Sequence, residues 1–445
     1  MMWGTVQSTA DGSISWHADT GVALGPILFH SNGIRFIVDA AAPAHIVGLA
    51  AVDAAALRAR AHWFADAAAV AAIADAADGD RAAAPIAGAA LVRQATVCAV
   101  DAVHLGDLDE AVLLLDHAHA AAAAGDYQRG AGRYALARVV VERLVEDIEV
   151  QDYLGPFNAR LLEVVATAPD GVFTDVERGE ITDELRGRLE RTEAPWQVIL
   201  GAGLARDELA STLGGGDTAV AESADLGLLP PRLLEFDGPD TPEIAVTPMP
   251  DAVHLSAQLR GTVDLDGAEA NQVFAVVADR RTGDLLSHAP MRVVGDRLDA
   301  TVRLHGIDPA TVRCGLIGAD TALDALRLDD VGAALTGIDR QCRYAWSEHR
   351  RAGAMLAATD FSATESQLVE VVDLAAQARK AAEREMRSAV RRVGRLAKAA
   401  TADTAEGLAA YAAAVGRLAE QISSVPAVDG PDGPILAELH EVALG

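Results

Sequence analysis

The chain is short of cysteine, aromatic residues and lysine, and it holds far less positive than negative charge. Its three cysteines, Cys98, Cys314 and Cys342, are odd in number and far apart, which excludes a disulfide framework and a paired C-x-x-C metal site. Lone cysteines read as small core residues. Aromatic residues make up 4%, so neither large aromatic cores nor base-stacking platforms are expected. Lysine occurs only as Lys380 and Lys398, the other basic residues being arginine, the bias of a GC-rich bacterial genome. No basic residue precedes Arg35, so a secretory signal lacks its charged start. No uncharged apolar run approaches the roughly 20 residues that cross a bilayer. A cytoplasmic protein without membrane contact is the expectation. Also missing are a G-x-S-x-G nucleophile turn, an H-E-x-x-H zinc motif and a phosphate loop ending in Gly-Lys-Ser/Thr.

What is abundant is alanine, within a hydrophobic share of 51% over 445 residues. That length suggests about three domains, and alanine favours long helices at close approach. A net charge of −28 opposes unaided binding to nucleic acid or anionic membrane.

Along the chain, GPILFH and IRFIVD flank Asn32-Gly33, the signature of a β-hairpin near residues 26–39. Alanine-rich helices follow. Gly106-Asp107 and Gly125-Asp126 punctuate three of them, glycine closing one helix and aspartate able to cap the next. Two more fit residues 157–166 and 176–190. A Gly/Pro/acid-rich connector is expected over 213–242. Short valine- and leucine-rich runs then fill 243–338 and predict an antiparallel β-sandwich of immunoglobulin-like architecture, with Arg281-Thr282-Gly283-Asp284 as a hairpin loop. From 339 to 445 helices return as a long coiled-coil-like hairpin. Leu368, Val371, Ala375, Ala378, Ala382, Met386, Ala389, Val393 and Leu396 form an apolar stripe on its first helix. The fold class is thus α+β multidomain: a mainly α-helical region with a small β-hairpin (1–212), a central sandwich and a C-terminal helical hairpin.

Residues 91–124 resemble a tetratricopeptide-type helical hairpin. Gly106 falls where that repeat closes its first helix, and Ala111 and Ala118 fall at small positions of the second. The resemblance covers about one repeat. The next Gly-Asp follows 19 residues later and the first helix lacks the repeat's aromatics, so it implies a single antiparallel hairpin rather than a superhelical array.

Three stretches invite a chemical reading. Asp116, His117 and His119 (DHAH) look like metal ligands, but on a helix His117 and His119 point to opposite sides. Asp116 with His119 is one ligand short of a stable site, so scaffold is expected and no metal. Gly201-Ala202-Gly203 resembles the opening of a dinucleotide fingerprint, yet Arg206 stands at the third glycine position, so no cofactor is expected. Residues 340–400 hold twelve basic residues against seven acidic ones, a net of +5 that leaves −33 for the rest. Such a segment can bind the chain's own acidic regions, a neighbouring subunit, an acidic protein or nucleic acid, or simply form a solvated face.

A non-enzymatic interaction or scaffold protein follows, an accessory subunit of a bacterial multi-component system. It would assemble with a protein partner or with itself through residues 364–400, and Arg379, Arg384, Arg387, Arg391 and Arg395 would meet the partner. The alternative is an enzyme of unfamiliar type with its site near His104 or the 201–206 loop. No catalytic residue is identified by motif.

Overall fold

The computed structural model describes residues 3–19, 24, 26–125, 137–145, 155–170, 172–191, 220–321, 326–358, 365–400 and 402–444. It is a mixture of helices and antiparallel sheets with a C-terminal helical region. The chain divides into two compact units: Met1–Leu209, Ala345–Arg384 and Ala413–Gly445 form the first, Ala210–Tyr344 and Glu385–Ala412 the second. Among the described residues, no helix is long and apolar enough to cross a membrane.

The first unit opens with a six-stranded antiparallel sheet. Its strands are β1 (Trp3–Ser8), β2 (Ile14–Ala18), β3 (Pro26–Ser31), β4 (Ile34–Asp39), β5 (Ala42–Ala51) and β6 (Arg81–Ala83), in the order β3-β4-β5-β2-β1-β6. The expected hairpin is β3–β4, and Asn32 and Gly33 both take positive φ (48° and 82°), as a primed turn requires. The rest of the sheet goes beyond the small β-hairpin expected there. WGTVQS and APAHIVGLAA lack the β-branched alternation of a strand, and their pairing is set by tertiary partners rather than by propensity. Trp16 and Phe36 are fully buried on this sheet, and the Trp16 indole N–H is satisfied by the Ala82 carbonyl at 3.2 Å.

Helices α1 (Ala54–Ala59), α2 (Ala67–Asp75), α3 (Ala89–Val103), α4 (Glu110–Ala123), α5 (137–145), α6 (Gly155–Ala166) and α7 (Asp175–Arg191) follow. α3 and α4 pack together as the expected hairpin. The cap of α4 is Asp109, not Asp107: its carboxylate accepts from the N–H groups of Ala111 (2.8 Å) and Val112 (3.3 Å). Gly125 has the positive φ of a helix-closing glycine, whereas Asp126 lies outside the described residues.

The second unit holds β7 (Val220–Glu222), β8 (Ile244–Met249), β9 (Ala252–Gln258), the short helix α8 (Ala268–Asn271), β10 (Val273–Asp279), β11 (Leu285–Pro290), β12 (Arg292–Val294), β13 (Arg297–Arg303) and β14 (Val312–Gly318). One sheet runs β11-β10-β14 and the other β12-β13-β9-β8-β7. A single apolar cluster draws Val246 and Leu255 from one and Ala275 and Leu316 from the other. The 281–284 loop joins β10 to β11 with Gly283 at positive φ and Asp279 accepting from the N–H groups of Arg281 and Thr282. The expected connector is more than a linker, since β7, Leu229, Leu233 and Leu234 all lie within it and the three leucines enter the same core.

The C-terminal helices are α9 (Asp330–Ala357), α10 (Glu365–Ala399), α11 (Ala402–Ile422) and α12 (Leu436–Leu444). The first three each contribute to both units. α9 begins nine residues before 339, and its Gln341 hydrogen-bonds Glu385, Ser388 and Arg392 on α10.

Candidate functional site

The DHAH stretch lies on α4, and its three polar groups go separate ways. Asp116 is buried and accepts from the N–H groups of Leu436 (3.0 Å) and Ala437 (2.9 Å), capping the N-terminus of α12 from another helix. Burial pushes its carboxyl up to about 6, against the pull of those two N–H groups and of Arg160 and Arg93. His117 instead meets Asp101 of α3 at 3.2 Å. Burial opposes its charge, but hydrogen bonds to Asp101 and Cys98 outweigh that and raise it to about 9. His119 is pushed down to about 4 by burial and by Arg160. Among the described residues, no three His, Cys, Asp or Glu side chains are grouped to hold a metal.

α12 is enclosed in the first unit despite carrying Glu438, His440 and Glu441. Glu438 takes a two-pronged ion pair from Arg350 (2.9 and 2.6 Å) and accepts from the Ile435 N–H at 3.0 Å. Burial would raise its carboxyl, yet Arg350 wins and holds it below the usual value. Arg350 also donates to the Asp432 carbonyl and stacks over Trp346. His104 accepts the Gly106 N–H at Nδ1 (2.9 Å), so its proton sits on Nε2, which lies 3.5 Å from Glu441 and 3.9 Å from Glu438. Gly106 is needed for space: a Cβ there would stand 2.0 Å from the Glu441 carboxylate.

A histidine between two carboxylates has the ingredients of acid–base chemistry. Access is the obstacle, because the side chains of His104 and Glu438 are each 1% exposed. The neighbouring hollow, lined by Thr96, Trp346, His349 and Arg350 among others, measures about 20 Å³, room for one water. These residues fasten the C-terminal helix. The 201–206 loop lies outside the described residues.

In the second unit a cleft of about 150 Å³ is bordered by Glu222, Arg313, Cys314 and Arg327. Its ions are committed to each other, Arg313 to Glu222 and Asp330 and Arg327 to Asp339. Burial pushes the Cys314 thiol up to about 12 and Cys342 higher still, so neither is a nucleophile at neutral pH.

α10 presents the remaining surface. The apolar stripe expected to need a partner is already covered: Val371, Ala375, Ala378, Ala382, Met386, Ala389 and Val393 are all buried by the chain itself, Leu396 is half-buried, and the Leu368 side chain lies outside the described residues. α9 is the reason in the second unit, since its early start brings Gln341 and Gly337 onto α10. Arg384, Arg387, Arg391 and Arg395 are exposed on the opposite side, while Arg379 is half-buried and off that line. Lys380 and Lys398 join the four arginines, giving spacings of 4, 3, 4, 4 and 3 residues. At about 100° per residue these six fall within an arc of about 80°, a single ridge about 27 Å long. Among the described residues, no ion pair involves Lys380, Arg387, Arg391, Arg395 or Lys398. The two lysines were legible from spacing alone, although the expected partner-binding set held only arginines.

No family model, no curated protein and no solved structure matches the chain.

Proposed function

We propose that this is a non-enzymatic interaction protein, an accessory or scaffold subunit of a bacterial multi-component system, and that it docks a protein partner along the exposed basic ridge of α10. The observation that carries this is a line of six cations, five of them unpaired among the described residues, in a chain with 65 acidic residues. Like charges one turn apart cost a helix about 0.2–0.5 kcal/mol per pair. An opposing acidic surface removes that cost. The two sheets sharing one core suit an immunoglobulin-like sandwich that serves as a rigid body beside the ridge-bearing helix. Three free thiols suit the reducing cytoplasm. The enzyme reading loses support because His104, the histidine set between two carboxylates, is closed to substrate.

The decisive comparison is wild type against Arg387→Glu/Arg391→Glu/Arg395→Glu. Light scattering reads self-association, and affinity capture from the source cell followed by rebinding of the purified partner reads docking. A salt-sensitive complex formed by the wild type and absent for the variant is expected. A wild-type chain that stays monomeric and yields no partner absent from the variant overturns the proposal.

A further inference from the structure

The ridge constrains what can sit on it, given that it is a docking face at all. Its cations are near-symmetric about the midpoint of the ridge, between Arg387 and Arg391. A second copy laid antiparallel on the same face would bring Arg387 against Arg391, Arg384 near Arg395 and Lys380 against Lys398. Every charge would meet its like, which costs rather than stabilises. A two-fold dimer centred on the ridge is therefore opposed by its own charges.

The flanks argue against a polyanion. Val372 and Val390 are 44% and 41% exposed, lie 18 residues apart and so occupy the same side of the helix, about 27 Å from each other, Val372 eight residues before Lys380 and Val390 within the ridge. Val369, also exposed, extends the ridge line toward its N-terminus. Aliphatic groups in these positions find contacts on another side-chain surface and none on a phosphate backbone. The chain's charge of −33 outside residues 340–400 further repels an extended polyanion. The apolar side of α10 is buried, which leaves separate valines and no continuous apolar face to insert into a lipid surface.

We infer that the occupant is an acidic α-helix of a different protein, lying along α10 with carboxylates at the same 4-3-4-4-3 spacing and small apolar residues against Val372 and Val390. Only a helix repeats its charges every turn over five turns, and so meets all six cations without distorting either partner. Carboxylate–arginine pairs along such a seam set register and orientation, as flanking charges do between paired helices.

The test uses the full chain and two labelled synthetic peptides of about 25 residues and identical alanine, glutamate and glutamine content. In one, glutamates follow the ridge spacing; in the other they are spread around the helix. A duplex DNA of about 20 base pairs is the third probe. Fluorescence anisotropy at low ionic strength, where surface charges are least screened, reads affinity. The registered peptide is expected to bind at least about tenfold more tightly than the dispersed one, a difference of about 1.4 kcal/mol. That preference should vanish in Arg387→Glu/Arg391→Glu/Arg395→Glu and be restored to the variant by a registered lysine peptide. Circular dichroism confirms that the variant is folded. Equal affinity for the two peptides overturns the helical-partner inference and leaves the docking face standing. Tighter binding of DNA than of either peptide overturns it in favour of nucleic acid. No binding of any probe, with wild type and variant alike, removes the docking face as well.

Discussion

Replacing Asp116 with alanine would show whether α12 is held by a side chain 320 positions earlier in the chain. Two N–H groups, of Leu436 and Ala437, would lose their acceptor inside the protein. At about 1–3 kcal/mol for each orphaned buried donor, the loss is about 2 kcal/mol or more. Its size should depend on pH, and the sign follows from the carboxyl. Folding raises Asp116 from 3.8 to about 6, so the folded protein holds a proton that the unfolded chain has released. A raised carboxyl contributes most below its unfolded value, and that contribution fades as pH rises through about 6. At 1.36 kcal/mol per pH unit, ionising it inside the fold costs about 3 kcal/mol, which alanine avoids. The deficit of Asp116→Ala should therefore be largest toward pH 4 and shrink by up to about 3 kcal/mol at neutral pH. Urea titrations of both proteins across that range measure it, and amide exchange in residues 436–444 should accelerate selectively. A deficit that is flat with pH, together with unchanged exchange in α12, would refute the trans-cap.

Val371→Asp places a carboxylate at a position with no exposure and should cost several kcal/mol, lowering Tm by many degrees, whereas Val369→Asp at an exposed site should stay within about 0.5 kcal/mol; equal melting temperatures would show that the stripe is not packed. Gly106→Ala drives a methyl against Glu441 and should destabilise by about 1–3 kcal/mol, and Glu441→Ala in the same chain should recover part of that loss in thermal melts. His117, raised from 6.5 to about 9, contributes stability that is complete below 6.5 and is lost as pH rises through 9. Asp101→Asn should flatten that decline, worth at most about 3 kcal/mol, in denaturant titrations from neutral to alkaline pH. Arg340→Ala removes a buried cation that pairs with Glu243 and also donates to the carbonyls of Gly238 and Pro239, and a loss of about 3–5 kcal/mol in urea titrations is expected.

Local periodicity determined much of this protein by itself. Asn32-Gly33 specifies the β3–β4 turn, because both positions need positive φ and neither residue resists it. The valine- and leucine-rich runs after residue 243 become β8 to β14 in the order in which they are written. The stripe from Val371 to Val393 names the buried side of α10, and the intervening 4-3-4-4-3 line of cations names the exposed one. Tertiary structure alone decided the rest, because it depends on groups distant in sequence. WGTVQS and APAHIVGLAA are strands only because neighbouring strands complete their hydrogen bonds. The stripe of α10 is an intramolecular seam rather than an interface because the chain covers it from elsewhere. Asp116 reads locally as half of a metal pair, but the helix N-terminus it caps begins at Leu436. A side chain's period fixes which way it faces, and only the folded chain supplies what it faces.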